Sequence, residues 1–377
     1  MAIELVSIIT GLLTLSYVII IFYFLRGWSR LPDFKSGNEL PSTRVSILIA
    51  ARNEEEKIGD TIKDLLAQHY PKNLIEIIIV DDHSTDRTSE IIGSYADQGV
   101  QLIQLKEDKA LNSYKKKAIT EAIHKSVGEL IITTDADCRM GTEWLRTIVS
   151  FYEKGNYKLI SSPVAFFKER SLFEELQTLE FLYLIGLGAS TIGNKKASTC
   201  NGANLAYTRE VFIELKGFQG IDDLASGDDE LFLHKVAAKY PGAIGFCKSE
   251  KAIVYTYAKE NLKEFIQQRK RWASKSTRYK NKAIVVLGIS VWLFNLSIIV
   301  NFIAGFLDPV YNQIGLISLA CKFLSELVFL LPLTNFIKRR KLVLYLPFLT
   351  VIHIFYIVYI GIAGNSGKYN WKGRSVR

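Results

Sequence analysis

Hydrophobic and polar positions divide this chain into a long charge-free run, a middle of short alternating stretches and a second apolar zone. Residues 5–25 carry no charged side chain, and as a helix that run reaches roughly 30 Å, the thickness of a bilayer core. Three further apolar runs, at 284–307, 311–337 and 342–363, close the chain. In between, residues 45–50, 75–80, 101–105 and 130–133 read as buried strands, and 54–68 and 114–124 have helical periodicity. This alternation predicts an α/β fold with a mainly parallel sheet covered on both faces. Ligands of such sheets bind beyond the carboxyl ends of the strands. No internal repeat or low-complexity segment is visible.

The first run reads as a membrane anchor over residues 1–30. Glu4 precedes it and Arg26 ends it, whereas a cleaved signal peptide wants a basic start, a shorter apolar core and a small-residue exit. Arg26, Arg30, Lys35 and Arg44 follow, so the positive-inside rule places the next domain in the cytoplasm of a multi-pass, integral membrane protein. If all four runs span, the basic cluster at 338–341 falls correctly, but Lys368, Lys372, Arg374 and Arg377 end outside. A C-terminal run lying in the interface or re-entering would relieve that conflict. Within the middle run, Lys322 and Glu326 share a helical face. They read either as a pair near a helix end or as a polar lining for a lipid headgroup.

Composition narrows the class. The net charge of +9 peaks beside the hydrophobic runs, which suits anionic headgroups better than nucleic acid, and no basic-aromatic nucleic-acid motif is present. The four cysteines, Cys138, Cys200, Cys247 and Cys321, show no metal spacing and no disulfide framework, which favours a reducing compartment.

Chemistry concentrates in four motifs. Asp81-Asp82 ends a strand, where a carboxylate can accept from a nucleobase imide or a ribose hydroxyl, and Ser84 or Thr85 can cap the helix after it. Asp135-Ala136-Asp137 places two carboxylates at the end of another strand, where they repel unless a cation sits between them. Hard oxygen ligands suit Mg²⁺ or Mn²⁺, with positions left open for diphosphate oxygens. An acidic loop capping the helix of Trp144 and Leu145 is the plainer reading. Gly227-Asp228-Asp229-Glu230 opens a helix, where acidic residues favour the macrodipole; a base would need one carboxylate aimed at an acceptor hydroxyl. Gln268, Arg271 and Trp272 lie in a basic amphipathic stretch, 262–279, suited to a membrane surface.

The ordered series resembles the membrane-associated members of glycosyltransferase family 2, which share the GT-A fold and transfer a sugar from a nucleotide donor with inversion. The stretch from Val45 to Glu54 is similar to the family's opening strand and its donor-contacting turn, with Ala50, Arg52 and Glu54 on the donor side. Asp81, beside Asp82, matches the base-contacting aspartate, and Asp135 and Asp137, flanking Ala136, match the metal-binding DxD. Asp229, beside Asp228, matches the last residue of the TED-like motif, and Gln268, Arg271 and Trp272 match QxxRW. Ala50, Arg52 and Gly227-Asp228 depart from the common residues at their positions. The resemblance covers roughly residues 44–280 and implies a Rossmann-like GT-A domain at 44–258 and an interface helix at 259–283. About three transmembrane helices and a basic tail fill 284–377.

What the resemblance implies is metal-assisted transfer. Asp137 with Asp135 would hold Mg²⁺ or Mn²⁺, Asp229 or Asp228 would be the base, and Arg271 and Trp272 would close over the diphosphate. The donor would be a nucleotide-sugar such as a UDP-sugar. The acceptor would be a membrane lipid or lipid-linked hydroxyl, which fits the anchoring better than a soluble sugar; residues 171–190 form an apolar run that either dips toward the bilayer or is an ordinary core helix. Cys200-Asn201-Gly202-Ala203-Asn204 resembles an acceptor-facing turn. Residues 369–374 resemble a terminal motif of lipid- and carotenoid-glycosylating relatives. A processive polysaccharide synthase shares every motif, and a catalytically silent nucleotide-binding scaffold is the reading from another class.

Overall fold

The computed structural model describes residues 2–37, 39, 41–106, 113–224, 226–275, 279, 281–364, 369–371 and 374–376, with backbone only at 2–3, 369–371 and 374–376. It divides into two compact units. One holds Met1–Ser29, Arg170–Gly186 and Lys259–Tyr369, and the other holds Arg30–Glu169, Leu187–Ala258 and Asn370–Arg377.

In chain order the elements begin with α1 (Ala2–Arg30), β1 (Val45–Ala51), α2 (Ile58–Leu66), β2 (Ile75–Asp81), α3 (Thr88–Gly93) and β3 (Val100–Gln104). Next come α4 (Tyr114–Lys125), β4 (Leu130–Thr133), β5 (Arg139–Met140), α5 (Trp144–Glu153), β6 (Leu159–Ser161) and β7 (Val164–Phe166). They continue with α6 (Leu172–Gly193), β8 (Leu205–Thr208), α7 (Arg209–Glu214), α8 (Glu230–Lys239), β9 (Ile244–Phe246) and β10 (Val254–Thr256). The remaining helices are α9 (Leu262–Ser274), α10 (Lys282–Ala304), α11 (Pro309–Phe336) and α12 (Leu346–Ala363).

In the sheet unit seven strands run in the order β3-β2-β1-β4-β8-β6-β9. The first four are mutually parallel; β8 alone is antiparallel to its neighbours β4 and β6, and β9 is parallel to β6. The central strands are apolar on both faces because helices cover both, as their unbroken Val, Ile and Leu runs require. On one face, Leu48, Ile78 and Val80 pack with Ala118, Ile119 and Ala122 of α4 and with Phe232 and Val236 of α8. Register then fixes the site. Ala51 pairs with Asp81, and Thr133 pairs across an antiparallel ladder with Leu205. The ends of β1, β2 and β4 and the start of β8 therefore share one edge. A small second sheet has the order β5-β10-β7.

Among the described residues the helical unit contains four helices long and apolar enough to cross a membrane: Glu4–Arg30, Lys282–Ala304, Pro309–Phe336 and Arg340–Ala363. The last begins as a 3₁₀ turn, Arg340–Tyr345, before α12. Leu5, Ile8, Leu12, Leu15 and Ile19 on α1 are exposed, as lipid-facing positions would be. Aromatic pairs knit the interior: Tyr17 stacks on Phe294 at 4.3 Å and Trp28 meets Phe336 edge-on at 5.5 Å. A Cβ on Gly186 of α6 would fall 1.9 Å from Leu333 Cδ2, so glycine permits that close approach to α11. Lys322 and Glu326 do pair, as one sequence reading has it, but away from any helix end. They pair at 2.6 Å in the middle of α11, wholly buried, and Tyr17 donates to the same Glu326 oxygen at 2.6 Å. With the Asn301–Thr10 and Thr14–Ser318 hydrogen bonds they form a polar seam inside the bundle rather than a lining.

Candidate active site

Two loops build the donor side of the shared edge. After β1, Asn53 adopts φ 49, and after β2, His83 adopts φ 55. The turns interlock: Asn53 Oδ1 accepts from Thr85 N at 2.9 Å, Ser84 Oγ accepts from Asn53 N at 3.0 Å, and Thr88 Oγ1 accepts from Glu54 N at 2.8 Å. Arg52 Nη1 donates to the carbonyls of Asp82 and His83 at 2.7 and 3.0 Å. Ser84 and Thr85 are thereby spent on loop pairing. The start of α3 is instead served by Asp86, which accepts from Thr88 N at 3.0 Å, a correction to the sequence reading. Asp81 is buried, accepting from Ser84 N at 3.3 Å and Ser89 Oγ at 2.6 Å. Asp82 is buried beside His83 Nδ1 at 3.0 Å. Ala50 lies one residue before the end of β1, paired with Val80.

The Asp135-Ala136-Asp137 turn follows β4. It is held from below by Thr61 of α2, whose hydroxyl lies 2.8 Å from the carbonyls of both Ala136 and Cys138. The turn does not cap the helix of Trp144; Gln68 Oε1 accepts from Leu145 N there, at 2.9 Å. Asp135 meets Lys115 Nζ at 2.7 Å, and the same ammonium lies 3.3 Å from Asp228 Oδ2. Burial opposes that charge, yet Asp135, Asp228 and Asp229 together raise the Lys115 ammonium well above the ordinary lysine value. Asp229 is the N-cap of α8. Its Oδ1 accepts from Glu230 N at 2.7 Å and its Oδ2 from Gly202 N at 3.0 Å.

The Cys200–Asn204 stretch comes to this edge because β8 starts there. Asn201 Oδ1 accepts from Ala203 N at 2.9 Å, and buried Asn204 ties Trp144 Nε1 at 3.0 Å and the carbonyls of Pro163 and Ala252 at 2.8 and 2.7 Å. A Cβ on Gly202 would sit 3.3 Å from Asp229 Cβ and 3.4 Å from Asp228 Oδ2.

Gln268, Arg271 and Trp272 belong to α9, in the helical unit. The helix ends at Ser274, short of the predicted extent, and residues 276–278 lie outside the described residues. Arg269 is not on a basic outer face. It is buried, pairs with Glu180 of α6, and lies with its guanidinium 4.2 Å from the Trp272 ring centroid. The Phe181 ring lies 5.9 Å from that of Trp272, and Gln268 Oε1 accepts from Arg269 Nη1 at 2.7 Å. Of the terminal motif, Lys372 and Gly373 lie outside the described residues.

Lys115 and Arg269 carry this geometry without having been singled out in the sequence. Lys115 opens α4 in a Lys115-Lys116-Lys117 triplet that reads as a solvated face. Among the described residues, no group of three or more His, Cys, Asp or Glu side chains is gathered for a metal. Asp135 and Asp137, on the turn after β4, are hard oxygen donors, a kind that would suit a divalent ion completing its shell with diphosphate and water.

Residues 46–216 match the family described as Glycosyl transferase family 2. The probable glycosyltransferase YdaM of Bacillus subtilis is 30% identical over 246 residues, 62% of this chain and 55% of the relative. The beta-monoglucosyldiacylglycerol synthase of Synechocystis is 32% identical over 113 residues, 30% of this chain and 24% of the synthase. This chain therefore spans about half the length of the first relative and a quarter of the second. Among solved structures, a mannosyltransferase from Pyrobaculum calidifontis in complex with GDP-Man and Mn²⁺ superposes with a TM-score of 0.57 at 18% identity. The superposition covers 94% of this chain and 99% of that one. The fold is thus a GT-A-like α/β domain with apolar helices.

Proposed function

We propose that this chain, which carries a glycosyl transferase family 2 domain, is a membrane-bound inverting glycosyltransferase moving a sugar from a nucleotide-sugar to a lipid-like hydroxyl. The observation that supports this most is the meeting of Asp135 and Asp228 on one ammonium, Lys115, with Asp229 alongside at the carboxyl edge of the parallel strands. Clustered acids held by a single cation are poised for a ligand that brings both phosphate and its counter-ion.

In this reading Asp81, with Ser89 and Ser84 fixing its carboxylate, contacts the nucleoside, and Ala50, Arg52, Glu54 and Asp82 shape the turns around it. Asp137 with Asp135 would hold Mg²⁺ or Mn²⁺, whose charge offsets that of the departing diphosphate. Lys115, released from Asp135, turns to the same diphosphate oxygens and stabilises charge as it develops. Asp229, its carboxylate plane set by the N–H groups of Glu230 and Gly202, takes the proton from the attacking hydroxyl. A single displacement needs no covalent intermediate. Gln268, Arg271 and Trp272 act from α9 at the diphosphate and acceptor entrance. The catalytic domain faces the cytoplasm by the basic residues after α1, and the apolar helices, lying in a chain similar to a diacylglycerol-glucosylating synthase, support a lipid acceptor.

Membranes containing the full chain, incubated with radiolabelled nucleotide-sugars and then extracted with organic solvent, test this directly. Label in the lipid phase is expected. Label confined to a water-soluble polymer would establish processive synthesis instead, and absence of transfer from every donor would leave a nucleotide-binding scaffold.

A further inference from the structure

A cavity of about 510 Å³ opens in the sheet unit among α4, α7 and the turn that follows α7, and none of the clustered acids lines it. Its inner walls are apolar, formed by Ile123, Phe212 and Phe218. The turn over it is preformed: Lys216 and Gly217 both adopt the left-handed conformation, at φ 56 and 49. A Cβ on Gly217 would come within 2.7 Å of the Phe212 ring, so the chain closes there because the residue is glycine.

Part of the polar lining lacks partners. Ser113 is 6% exposed and its hydroxyl has no hydrogen-bond partner among the described residues; Arg209 Nε is buried and likewise has none among them. Lys216, on the same lining, forms no ion pair among the described residues. Lys117, also on the lining, is already engaged by Glu121 at 2.7 Å, and among the described residues Asp222 is the only acid there. Buried polar atoms without partners are rare in native structures and call for a ligand. Two cations and a hydroxyl donor lining one cavity with aromatic and aliphatic walls suit an anion with several acceptor oxygens and an apolar body.

We propose that this cavity binds a small phosphomonoester bearing an apolar group, independently of the donor diphosphate. The phosphate bonds to Arg209, Lys216 and Ser113, and the apolar body lies against Phe212 and Phe218. The back wall gives the site a route to the reacting groups. Lys116, which also lines the cavity, donates to the carbonyls of Ile221, Leu224 and Ser226 at 2.6, 2.7 and 2.8 Å. Those residues lead directly into Asp228 and Asp229, so an occupant bears on the segment that positions both carboxylates.

The test is calorimetric titration of the full chain in detergent with phenyl phosphate, a readout that needs no transfer activity. Saturable binding is expected, weakened about tenfold or more in Arg209→Gln and in Lys216→Gln, in line with the loss of one charge-assisted hydrogen bond. Lys216 is exposed, so its substitution leaves the fold intact and keeps the result readable if Arg209→Gln does not fold. A parallel arm uses vesicles containing phosphatidic acid against phosphatidylcholine alone. A Lys216-dependent response to phenyl phosphate alone makes the source a soluble phosphomonoester, and one to phosphatidic acid alone makes it a lipid headgroup. No saturable binding in either arm, binding unchanged by both substitutions, or binding displaced by UDP would overturn the proposal.

Discussion

Lys115 Nζ stands 2.7 Å from Asp135 Oδ1, so a carboxylate matched to the DxD motif has its charge offset by a lysine of the same chain. The lysine offsets the repulsion that Asp135 and Asp228 would otherwise exert on each other, and it is the charge nearest to hand when a diphosphate arrives. Lys115→Met is expected to lower the transfer rate at saturating donor by about 10²–10³-fold, the loss typical of one preorganised stabilising donor. Lys115→Arg, which keeps the charge, should recover part of it. Unchanged turnover in Lys115→Met would leave the lysine a purely structural counter-ion.

Asp137 and Asp229 should fail in distinguishable ways. Asp137→Asn is expected to abolish transfer together with the Mn²⁺ dependence of nucleotide binding. Asp229→Asn should abolish transfer while nucleotide binding and its metal dependence remain, because the amide oxygen can still accept from Gly202 N or Glu230 N. Parallel nucleotide titrations with and without Mn²⁺ check both. Turnover retained in Asp229→Asn but lost in Asp228→Asn would reassign the base.

Gly202→Ala tests the placement of those carboxylates without changing any charge. The added methyl would meet Asp229 Cβ at 3.3 Å and Asp228 Oδ2 at 3.4 Å, so one or both acids must shift by a few tenths of an ångström. Misplacement of that order is expected to cost about tenfold or more in kcat, with little change in thermal stability. Wild-type kcat would show that the acids have room to spare.

Much of the sheet was legible because its strands are buried on both faces. The runs at 45–50, 75–80 and 130–133 have no polar alternation to confuse, and the observed strands fall on them within a residue. The Lys115-Lys116-Lys117 triplet was not legible, since three consecutive helical residues point about 100° apart and composition cannot say where each points. Lys115 turns to the acids, Lys116 to buried carbonyls and Lys117 to Glu121. Arg269 was hidden for a related reason. A basic helix reads as a headgroup-facing surface, and only the position of Glu180, 89 residues earlier, turns that arginine inward.

Lys116 gives a pH signature. Burial pushes its ammonium down to about 8 from the ordinary 10.5, while Asp228, Asp229, Asp223 and Asp222 pull the other way. Below about 8 folded and unfolded chains both carry the proton, and the folded state bears the full cost. Between about 8 and 10.5 the unfolded chain keeps a proton that the folded one releases, so stability rises with pH, by at most about 1.4 kcal/mol per unit from this group. Urea midpoints measured from pH 7.5 to 10 should therefore climb more steeply in the wild type than in Lys116→Met. Equal slopes would show that the three carbonyls hold the ammonium fully charged across the range.

The indole of Trp272 has the Arg269 guanidinium 4.2 Å and the Phe181 ring 5.9 Å from its centroid. Glu180 holds Arg269 by two hydrogen bonds, and Tyr356 donates to the same carboxylate at 3.5 Å, so α6, α9 and α12 meet on one buried ion pair. Glu180→Gln leaves the guanidinium without its counter-ion and is expected to destabilise the chain by about 3–5 kcal/mol. Pairing it with Arg269→Met removes both charges, and thermal stability should recover because the replacement packs. Transfer should not recover with it, since methionine cannot stack on the indole as a planar cation does. The expected pattern in the double variant is a raised acceptor KM at near-normal stability. An acceptor KM equal to wild type would mean that the pair holds the helices together and leaves Trp272 to find its own place.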